Sequence, residues 1–264
     1  MELEGKVAIV TGAARGIGFA LAERFVAEGA AGVTVCDLDP ADCHAAATRL
    51  GDRALDVAAD VSVEEDVQAV VARTEERFGP IDLVFSNAGI GTNLGIDAPN
   101  ESWQRIWDVN VMAHVYAARA VLPAMLARGE GYIVSTASAA GLLANIGDAS
   151  YTVTKHAAVA FAEWISITYG DRGIKVSCLC PQGVNTELLR AGLGPGGAGT
   201  TVAAQGVIEA ADVADSVVEG LRAERFLILP HPEVADYVQR KATDPDRWLA
   251  GMRRLQARFA GGGA

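Results

Sequence analysis

Cysteine, positive charge and long apolar runs are all scarce in this chain of 264 residues, and each shortage excludes a class of protein. Four cysteines are too few for the disulfide framework of a small secreted domain. Lys and Arg number 22 against 33 Asp and Glu, a net charge of -11, which argues against nucleic-acid or membrane-surface binding. No apolar run approaches the roughly 18 residues of a spanning helix, and no signal peptide is expected. These shortages predict a soluble, cytoplasmic protein.

Metal ligands are equally sparse. The cysteines are predicted to be reduced thiols in the core, and the only closely spaced pair, Cys178 and Cys180, is expected on opposite faces of a strand. The histidines are scattered without ligand spacing: His44, His114, His156 and His231. No metal site is therefore predicted.

What the chain has in abundance is alternation between short Val/Ile-rich runs and longer Ala-rich segments of helical period. The predicted strands cover 6–11, 32–37, 53–59, 81–86, 131–136, 174–179 and 226–229. The predicted helices cover 16–28, 40–50, 63–78, 101–126, 150–170 and 209–221. Parallel strands need crossover connections, so this order predicts an α/β fold: a doubly wound, Rossmann-type parallel sheet with helices on both faces.

No Pro/Ser-rich linker interrupts the pattern, so residues 1–264 are predicted to form a single domain. Two segments depart from the alternation. Residues 187–206 contain a Gly-rich, almost uncharged stretch and are expected to form a mobile lid. Residues 231–260 are expected to add one or two helices.

A glycine-rich turn lies where the first strand gives way to the first helix. Gly12, Gly16 and Gly18 allow a tight backbone turn and close approach of a pyrophosphate to the helix N-terminus. Arg15 and Ile17 lie within the same turn. This context predicts a dinucleotide site.

Asp37 ends the second strand, 19 residues after Gly18, where a carboxylate can accept ribose hydroxyl protons of NAD and repel the 2′-phosphate of NADP. The following Leu38-Asp39-Pro40 offers no cation for that phosphate. Asp39 is an alternative ribose ligand, and Arg15 is the one nearby cation that would favour NADP. The sequence favours NAD.

Polar or small residues follow three more strands at the edge where open α/β sheets bind ligands. Asp60 and Val61 follow the third strand, where adenine would lie. The fourth strand is followed by Asn87, Ala88 and Gly89. Each group alone is compatible with an ordinary turn.

Tyr151 and Lys155 are four residues apart on a predicted helix and share a face. A tyrosine acts as acid or base near neutral pH only when its pKa is lowered, which a nearby ammonium favours. Ser138 follows the fifth strand, where its hydroxyl can bind a substrate carbonyl. Asn110, a poor helix former inside a predicted helix, is interpreted as a core amide, a kink or a link in a proton relay.

In these motifs the chain resembles the classical short-chain dehydrogenase/reductase family, over residues 5–230. The resemblance implies catalysis by Asn110, Ser138, Tyr151 and Lys155, with hydride passing to or from the nicotinamide C4. Tyr151 would be the acid/base, and Lys155 would lower its pKa and bind the nicotinamide ribose. Asn110 would hold a water connecting Lys155 to solvent.

The family's motif after the sixth strand matches Pro181, Gly183, Val184 and Thr186, and these residues are expected to contact the cofactor. Gln182 departs from the family pattern, which has Gly at that position. Gln182 either narrows the pocket or binds a substrate group, or it is a tolerated surface change.

The implied substrate is a small alcohol or ketone bound near Ser138, Leu143, Tyr151 and Gln182. Apolar lid residues and a single lid cation, Arg190, favour a neutral, fairly hydrophobic molecule such as a hydroxysteroid, cyclic or aryl alcohol. The alternatives are a catalytically silent nicotinamide sensor and a carrier-linked 3-ketoacyl reductase. The resemblance also implies a homodimer or homotetramer built on helices 101–126 and 150–170.

Overall fold

A single parallel sheet organises the chain. The structure is a computed structural model that describes residues 1–194 and 197–260. The strands are β1 (Val7–Thr11), β2 (Gly32–Asp37), β3 (Ala54–Ala58), β4 (Leu83–Ser86), β5 (Gly131–Thr136), β6 (Ile174–Leu179) and β7 (Leu227–Ile228). Their order is β3-β2-β1-β4-β5-β6-β7. The direction of winding reverses between β1 and β4, which creates the crevice where such sheets bind ligands. The predicted fold class is confirmed.

Helices cover both faces of this sheet. The first part of the chain forms α1 (Gly16–Ala27), α2 (Pro40–Leu50), α3 (Glu64–Phe78), α4 (Asn100–Trp107), α5 (Ala113–Arg128) and α6 (Ala149–Tyr169). The rest forms α7 (Glu187–Ala191), α8 (Ala198–Ala203), α9 (Ala210–Arg222), α10 (Glu233–Thr243) and α11 (Pro245–Ala260). Most of the predicted bounds agree with these within one or two residues, the usual uncertainty at helix and strand ends.

One predicted helix is interrupted. Residues 101–126 were expected to be continuous, but a π-helical turn, Asp108–Met112, separates α4 from α5. Asn110 lies in this turn. Such turns occur mainly as local bulges at functional sites. The kink that was one interpretation of Asn110 is therefore present.

The core has two layers because parallel strands bury both of their faces. On β1, Val7 and Ile9 face a layer that contains Val84, Ile133 and buried residues of α3, α5 and α6. Ala8 and Val10 face the opposite layer, which includes Phe25 of α1 and buried residues of α9. Burial of each large apolar side chain contributes roughly 1.5–3 kcal/mol, so both layers hold the strand ends in place.

The four cysteines are free and buried, as expected. The expectation that Cys178 and Cys180 point to opposite faces is wrong. Side chains alternate along a strand, so residues two apart share a face, and the two Sγ atoms lie 3.8 Å apart.

The helical stretch Asn100–Arg128 is long and apolar enough on average to cross a membrane, with a mean hydropathy of 1.3 in its most apolar part. The sequence expectation of no such run is thereby corrected. Half of that part is buried inside the fold, and α5 packs against α3 and behind β4 and β5. These contacts are those of a core helix.

The two segments outside the alternation are helical. The expected lid, 187–206, contains the short helices α7 and α8, and its residues 195 and 196 lie outside the described residues. A bridge between Val184 and Ile208 joins the two ends of this loop. The C-terminal extension forms α10 and α11, and residues 261–264 also lie outside the described part.

Candidate active site

A cleft of about 1120 Å³ opens at the carboxyl edge of the sheet. Most of the predicted site residues line it: Gly12, Arg15, Gly16, Ile17, Asp37, Leu38, Asp60, Val61, Asn87, Ala88, Gly89, Ser138, Leu143, Tyr151, Lys155, Pro181, Gln182, Val184 and Thr186. Gly18, Asn110 and Gly183 do not line the cleft, and they lie behind its wall. The structure thus brings residues from distant parts of the chain into one site.

The glycine turn at one end of the cleft is built by close backbone contacts. Gly12 has a φ of +63°, and a Cβ atom there would lie 2.8 Å from Ala88 Cα. A Cβ on Gly18 would lie 2.0 Å from the carbonyl oxygen of Gly12, which explains why Gly18 is packed behind the turn. No side chain caps the N-terminus of α1 and its first turn holds no acidic residue. Its N–H groups are therefore available to a pyrophosphate.

The carboxylate at the end of β2 faces this turn. Asp37 accepts hydrogen bonds from the backbone N–H of Ala14 (3.0 Å) and of Leu38 (2.8 Å). Asp39 is engaged elsewhere, because it caps α2 by accepting from Ala41 N (2.8 Å). Both candidate ribose ligands line the cleft, and Asp37 is the one that contacts the glycine turn, through Ala14.

Arg15, the cation that the sequence places near the expected adenosine ribose, is held by two carboxylates. Its guanidinium contacts Asp42 Oδ2 and Glu187 Oε2, each at 2.8 Å. These pairs are half exposed and contribute little to stability. They nevertheless engage both terminal nitrogens, and the two carboxylates offset the positive charge that would attract a 2′-phosphate.

Two further residues complete the cofactor end. Asn87 ties three strand ends together: its backbone N–H and its Nδ2 donate to Thr11, and its Oδ1 accepts from Thr136 at 3.2 Å. Arg105 of α4 forms an ion pair with Asp60 at 3.1 Å and also lines the cleft. Sequence reasoning missed Arg105, since no motif marks a lone arginine on a helix.

Tyr151, Lys155 and Ser138 meet in the middle of the cleft. Lys155 Nζ donates to the carbonyl oxygen of Thr136 at 2.9 Å and lies 5.5 Å from the centre of the Tyr151 ring. Ser138 Oγ accepts from Ala140 N at 3.1 Å and donates to Pro181 O at 3.3 Å. Asp148, the N-cap of α6, accepts from Tyr151 N at 2.9 Å and fixes the start of the helix.

Burial sets the charge states of this group. It raises the pKa of Tyr151 to about 12, although the neighbouring Ser138 hydroxyl opposes the rise. It lowers the pKa of Lys155 to about 8, because the ammonium is removed from water. The sequence predicted a lowered tyrosine pKa. In the protein alone the opposite shift holds, since burial outweighs the opposing effect of Ser138, and the Lys155 ammonium donates its hydrogen bond to Thr136.

The side-chain amide of Asn110 hydrogen-bonds both backbone groups of Ile90. Its Oδ1 accepts from Ile90 N at 2.9 Å, and its Nδ2 donates to Ile90 O at 2.9 Å and to Thr154 Oγ1 at 3.2 Å. A Cβ on Gly89 would lie 3.1 Å from Lys155 Nζ and 3.4 Å from Asn110 Oδ1. The missing side chain of Gly89 therefore leaves a small space between the lysine and the asparagine.

The turn after β6 is held by a buried histidine that sequence reasoning did not select. The backbone N–H of Gln182 donates to His231 Nδ1 at 3.1 Å, so Nδ1 carries no proton. The protonated Nε2 donates to Gly183 O at 3.1 Å. Ala139 N donates to Pro181 O at 2.8 Å and joins the same turn to Ser138. His231 thus fixes the backbone between the cofactor end and the substrate end.

Among residues 1–194 and 197–260, no group of three His, Cys, Asp or Glu side chains is arranged to hold a metal ion. The polar groups at the centre of the cleft are instead a phenol, an ammonium and a hydroxyl. With the glycine turn and Asp37, the residues present fit a nicotinamide dinucleotide.

Comparison with known proteins agrees with this geometry. The model of the short chain dehydrogenase family matches residues 6–192. The 1-deoxy-11-beta-hydroxypentalenate dehydrogenase of Streptomyces exfoliatus is 35% identical over 240 residues, covering 88% of this chain and 86% of that protein. The 2-(R)-hydroxypropyl-CoM dehydrogenase of Xanthobacter autotrophicus is 39% identical over 191 residues, covering 69% and 76%.

Solved structures show the same relationship. A short chain dehydrogenase/reductase from Burkholderia phymatum in complex with NAD superposes with a TM-score of 0.84, at 31% identity and covering 93% of this chain and 96% of that one. The L-sorbose reductase of Gluconobacter frateurii, complexed with NADPH and L-sorbose, gives 0.77 at 32% identity, covering 87% and 95%. This chain belongs to the short-chain dehydrogenase/reductase family.

Proposed function

We propose that this protein is an oxidoreductase that interconverts a secondary alcohol and its ketone with NAD as its preferred cofactor. The observation that carries the proposal is the convergence of Tyr151, Lys155 and Ser138 in one cleft with the glycine turn. The family relationship supports the same chemistry, and the named activities of the relatives include alcohol dehydrogenases and a ketose reductase.

Preference for NAD over NADP rests on Asp37 and Arg15. Asp37 presents a carboxylate where the adenosine ribose would lie, and a 2′-phosphate there meets like charge. Arg15 is occupied by Asp42 and Glu187. Relatives of solved structure are complexed with NAD, NADPH or NADH, so the local charges of this chain are the argument.

The residues of the cleft divide the chemistry among them. Bound NAD would supply the hydride acceptor and, in its oxidised form, a positive charge near the phenol. Ser138 orients the substrate oxygen, and Tyr151 exchanges a proton with it. A pKa of about 12 keeps the phenol protonated in the protein alone, which is the form that donates a proton to a ketone. Alcohol oxidation requires the phenolate, which positive charge beside Tyr151 favours.

The space left by Gly89 supports a proton path. A water there would lie between Lys155 Nζ and Asn110 Oδ1, each of which can hydrogen-bond it. Asn110 keeps one lone pair on Oδ1 after accepting from Ile90. This arrangement agrees with the role that the family resemblance implies for Asn110.

The substrate is proposed to lie between Ser138 and the lid. Leu143 and Gln182 line this end of the cleft. Gln182 donates from Nε2 to Gln205 at 2.9 Å, whereas its buried Oε1 has no partner among the described residues. A substrate donor would satisfy that oxygen. The apolar lining favours a hydroxysteroid, cyclic or aryl alcohol as the body of the substrate.

A turnover assay tests the proposal directly. Secondary alcohols of these classes are offered with NAD and with NADP, using Tyr151→Phe as the control. We expect reduced cofactor with NAD, far less with NADP, and a loss of about 100-fold or more in the variant, the usual range for removing a general acid or base. Turnover that survives in Tyr151→Phe would remove Tyr151 from the mechanism.

The rival functions predict different results. A nicotinamide sensor would bind NAD and turn over no alcohol, and the intact catalytic set argues against it. A carrier-linked 3-ketoacyl reductase would prefer NADPH and thioester substrates, against which Asp37 argues. We further propose a cytoplasmic homodimer or homotetramer. Its support is the exposed apolar residues of α6, where Trp164 is 54% and Ile167 83% exposed.

A further inference from the structure

The C-terminal helices form the far wall of the cleft. One face of α11 lines it with Trp248, Met252 and Leu255, and Tyr237 of α10 lies beside them. The two helices contact each other through Tyr237 and Trp248, whose rings are 6.3 Å apart. Lys241 Nζ joins α10 to the active-site loop by donating to Leu142 O (2.8 Å) and Leu143 O (3.1 Å). This wall is therefore tied to the catalytic side of the cleft.

The same helices add positive charge to the cleft. Residues 231–260 hold six Lys and Arg against four Asp and Glu, in a chain whose net charge is -11. Arg240, Arg254 and Arg258 line the cleft. None of the three forms an ion pair within the described part of the chain, where the pairs found involve other residues.

The carboxylates that line the cleft do not balance these arginines. Asp37, Asp39 and Asp60 lie at the ends of β2 and β3, where the adenosine of a cofactor would bind. Glu187 is paired with Arg15. Asp148 is buried, with Oδ2 accepting from Thr92 N and Asn93 N and Oδ1 from Tyr151 N.

We propose that Arg240, Arg254 and Arg258 bind an oxyanion at the end of the substrate remote from its alcohol, so that the substrate is an amphipathic acid. A guanidinium binds a carboxylate, sulfonate or phosphate through paired N–H groups. Trp248, Met252 and Leu255 line the same cleft and provide apolar surface for the body of such a substrate. The inference rests on the proposed function, and it replaces the neutral substrate expected from the single lid cation Arg190.

Matched pairs of substrates test it. Hydroxycyclohexyl alkanoates of increasing chain length and a hydroxycholanate are each compared with their own methyl ester, which removes the charge and keeps the shape. Sulfonate and phosphate analogues identify the preferred anion. We expect kcat/KM for the best acid to exceed that of its ester about ten- to a hundred-fold, the range for hydrogen bonds to charged groups.

The variants separate a bound anion from general electrostatics. The double variant Arg254→Gln/Arg258→Gln should lose the preference for the acid and keep its rate on the ester. Arg253→Gln is the matched control, because Arg253 lies on the same helix and is exposed like Arg254 and Arg258 but does not line the cleft. The control should retain the preference.

A binding measurement keeps the inference separate from catalysis. Tyr151→Phe loaded with NADH is titrated with the ketone form of each acid and ester, followed by cofactor fluorescence. Tighter binding of the acid, abolished by the double variant, supports the anion site even if no alcohol is turned over, in which case only the proposed function fails. Equal affinity for acid and ester, a preference that survives the double variant, or no binding by any acid overturns the inference.

Discussion

Replacing Lys155 by Met should abolish activity and stabilise the protein without its cofactor. Lys155 is 2% exposed, and burial lowers its pKa to about 8 from an ordinary 10.5. The amine of Lys155 therefore binds its proton more tightly in the unfolded chain than in the folded protein. The ammonium of Lys155 is thus a destabilising group that is kept for its function.

The magnitude follows from linkage. A pKa difference of about 2.5 units corresponds to about 3 kcal/mol in the free energy of unfolding. The charged Lys155 lowers the stability of the folded protein by this full amount below about pH 8. The folded protein regains the stability as the pH rises to about 10.5. Loss of the hydrogen bond to Thr136 O costs the variant about 1 kcal/mol. The net gain at pH 7 is about 2 kcal/mol, or roughly 4–8 °C in Tm for a chain of this size.

Thermal and urea denaturation of the cofactor-free protein at pH 7 and at pH 10 measure this difference. Lys155→Met should melt above the unchanged protein at pH 7, and the gap should shrink at the higher pH. Lys175→Met is the control, because Lys175 is 51% exposed and should change the free energy of unfolding by less than about 0.5 kcal/mol. A variant that melts below the unchanged protein at pH 7 would show that the buried ammonium is well solvated.

Three further predictions concern other parts of the molecule. Asp37→Ser should raise the ratio of kcat/KM with NADP to kcat/KM with NAD at least about tenfold. Asp39→Ser, which retains a capping hydroxyl on α2, should leave this ratio unchanged. Equal ratios in the two variants would show that Asp37 does not set the cofactor preference. His114 is buried, and neither ring nitrogen has a hydrogen-bond partner among the described residues. Its pKa is lowered to about 3, mainly by burial and to a smaller extent by the charge of Lys155. The unfolded histidine, with pKa about 6.5, takes up a proton first, so stability falls by about 2 kcal/mol between pH 7 and pH 5; urea denaturation of His114→Leu should lack this part of the loss, and an identical loss would contradict it. Trp164→Glu combined with Ile167→Glu should dissociate the proposed oligomer in light scattering, and an unchanged mass would place the interface elsewhere.

The layered fold could be predicted because its determinants are local. Val7–Thr11 and Gly131–Thr136 are buried along their whole length, so each reads as a short, largely apolar run bounded by turns. The break in helix 101–126 was harder to place. In the π-helical turn, Asn110 hydrogen-bonds Ile90, a residue 20 positions away in the chain. Helical periodicity describes only the spacing of residues within one helix, so it could not predict this contact.

The convergence of the candidate catalytic residues could be predicted for a related reason. Tyr151 and Lys155 are fixed by helical spacing, and Ser138 and Asn87 follow strands whose ends must meet at one edge of a parallel sheet. Charge states could not be predicted this way. The pKa of Tyr151 rises because burial exceeds the opposing effect of Ser138, and burial depends on tertiary packing.

The end of the cleft where the substrate is proposed to lie depends on long-range contacts that no sequence motif predicts. Arg240, Arg254 and Arg258 lie about a hundred residues after Tyr151 and reach the cleft only because α10 and α11 fold back over it. The docking contact of Lys241 with Leu142 and Leu143 brings them there. In a sheet of this type the cofactor end is built from strand ends, whose position the fold dictates, whereas the substrate end is built from appended helices. Substrate preference can therefore change with the sequence of α10 and α11 while the sheet and the residues at the centre of the cleft stay the same.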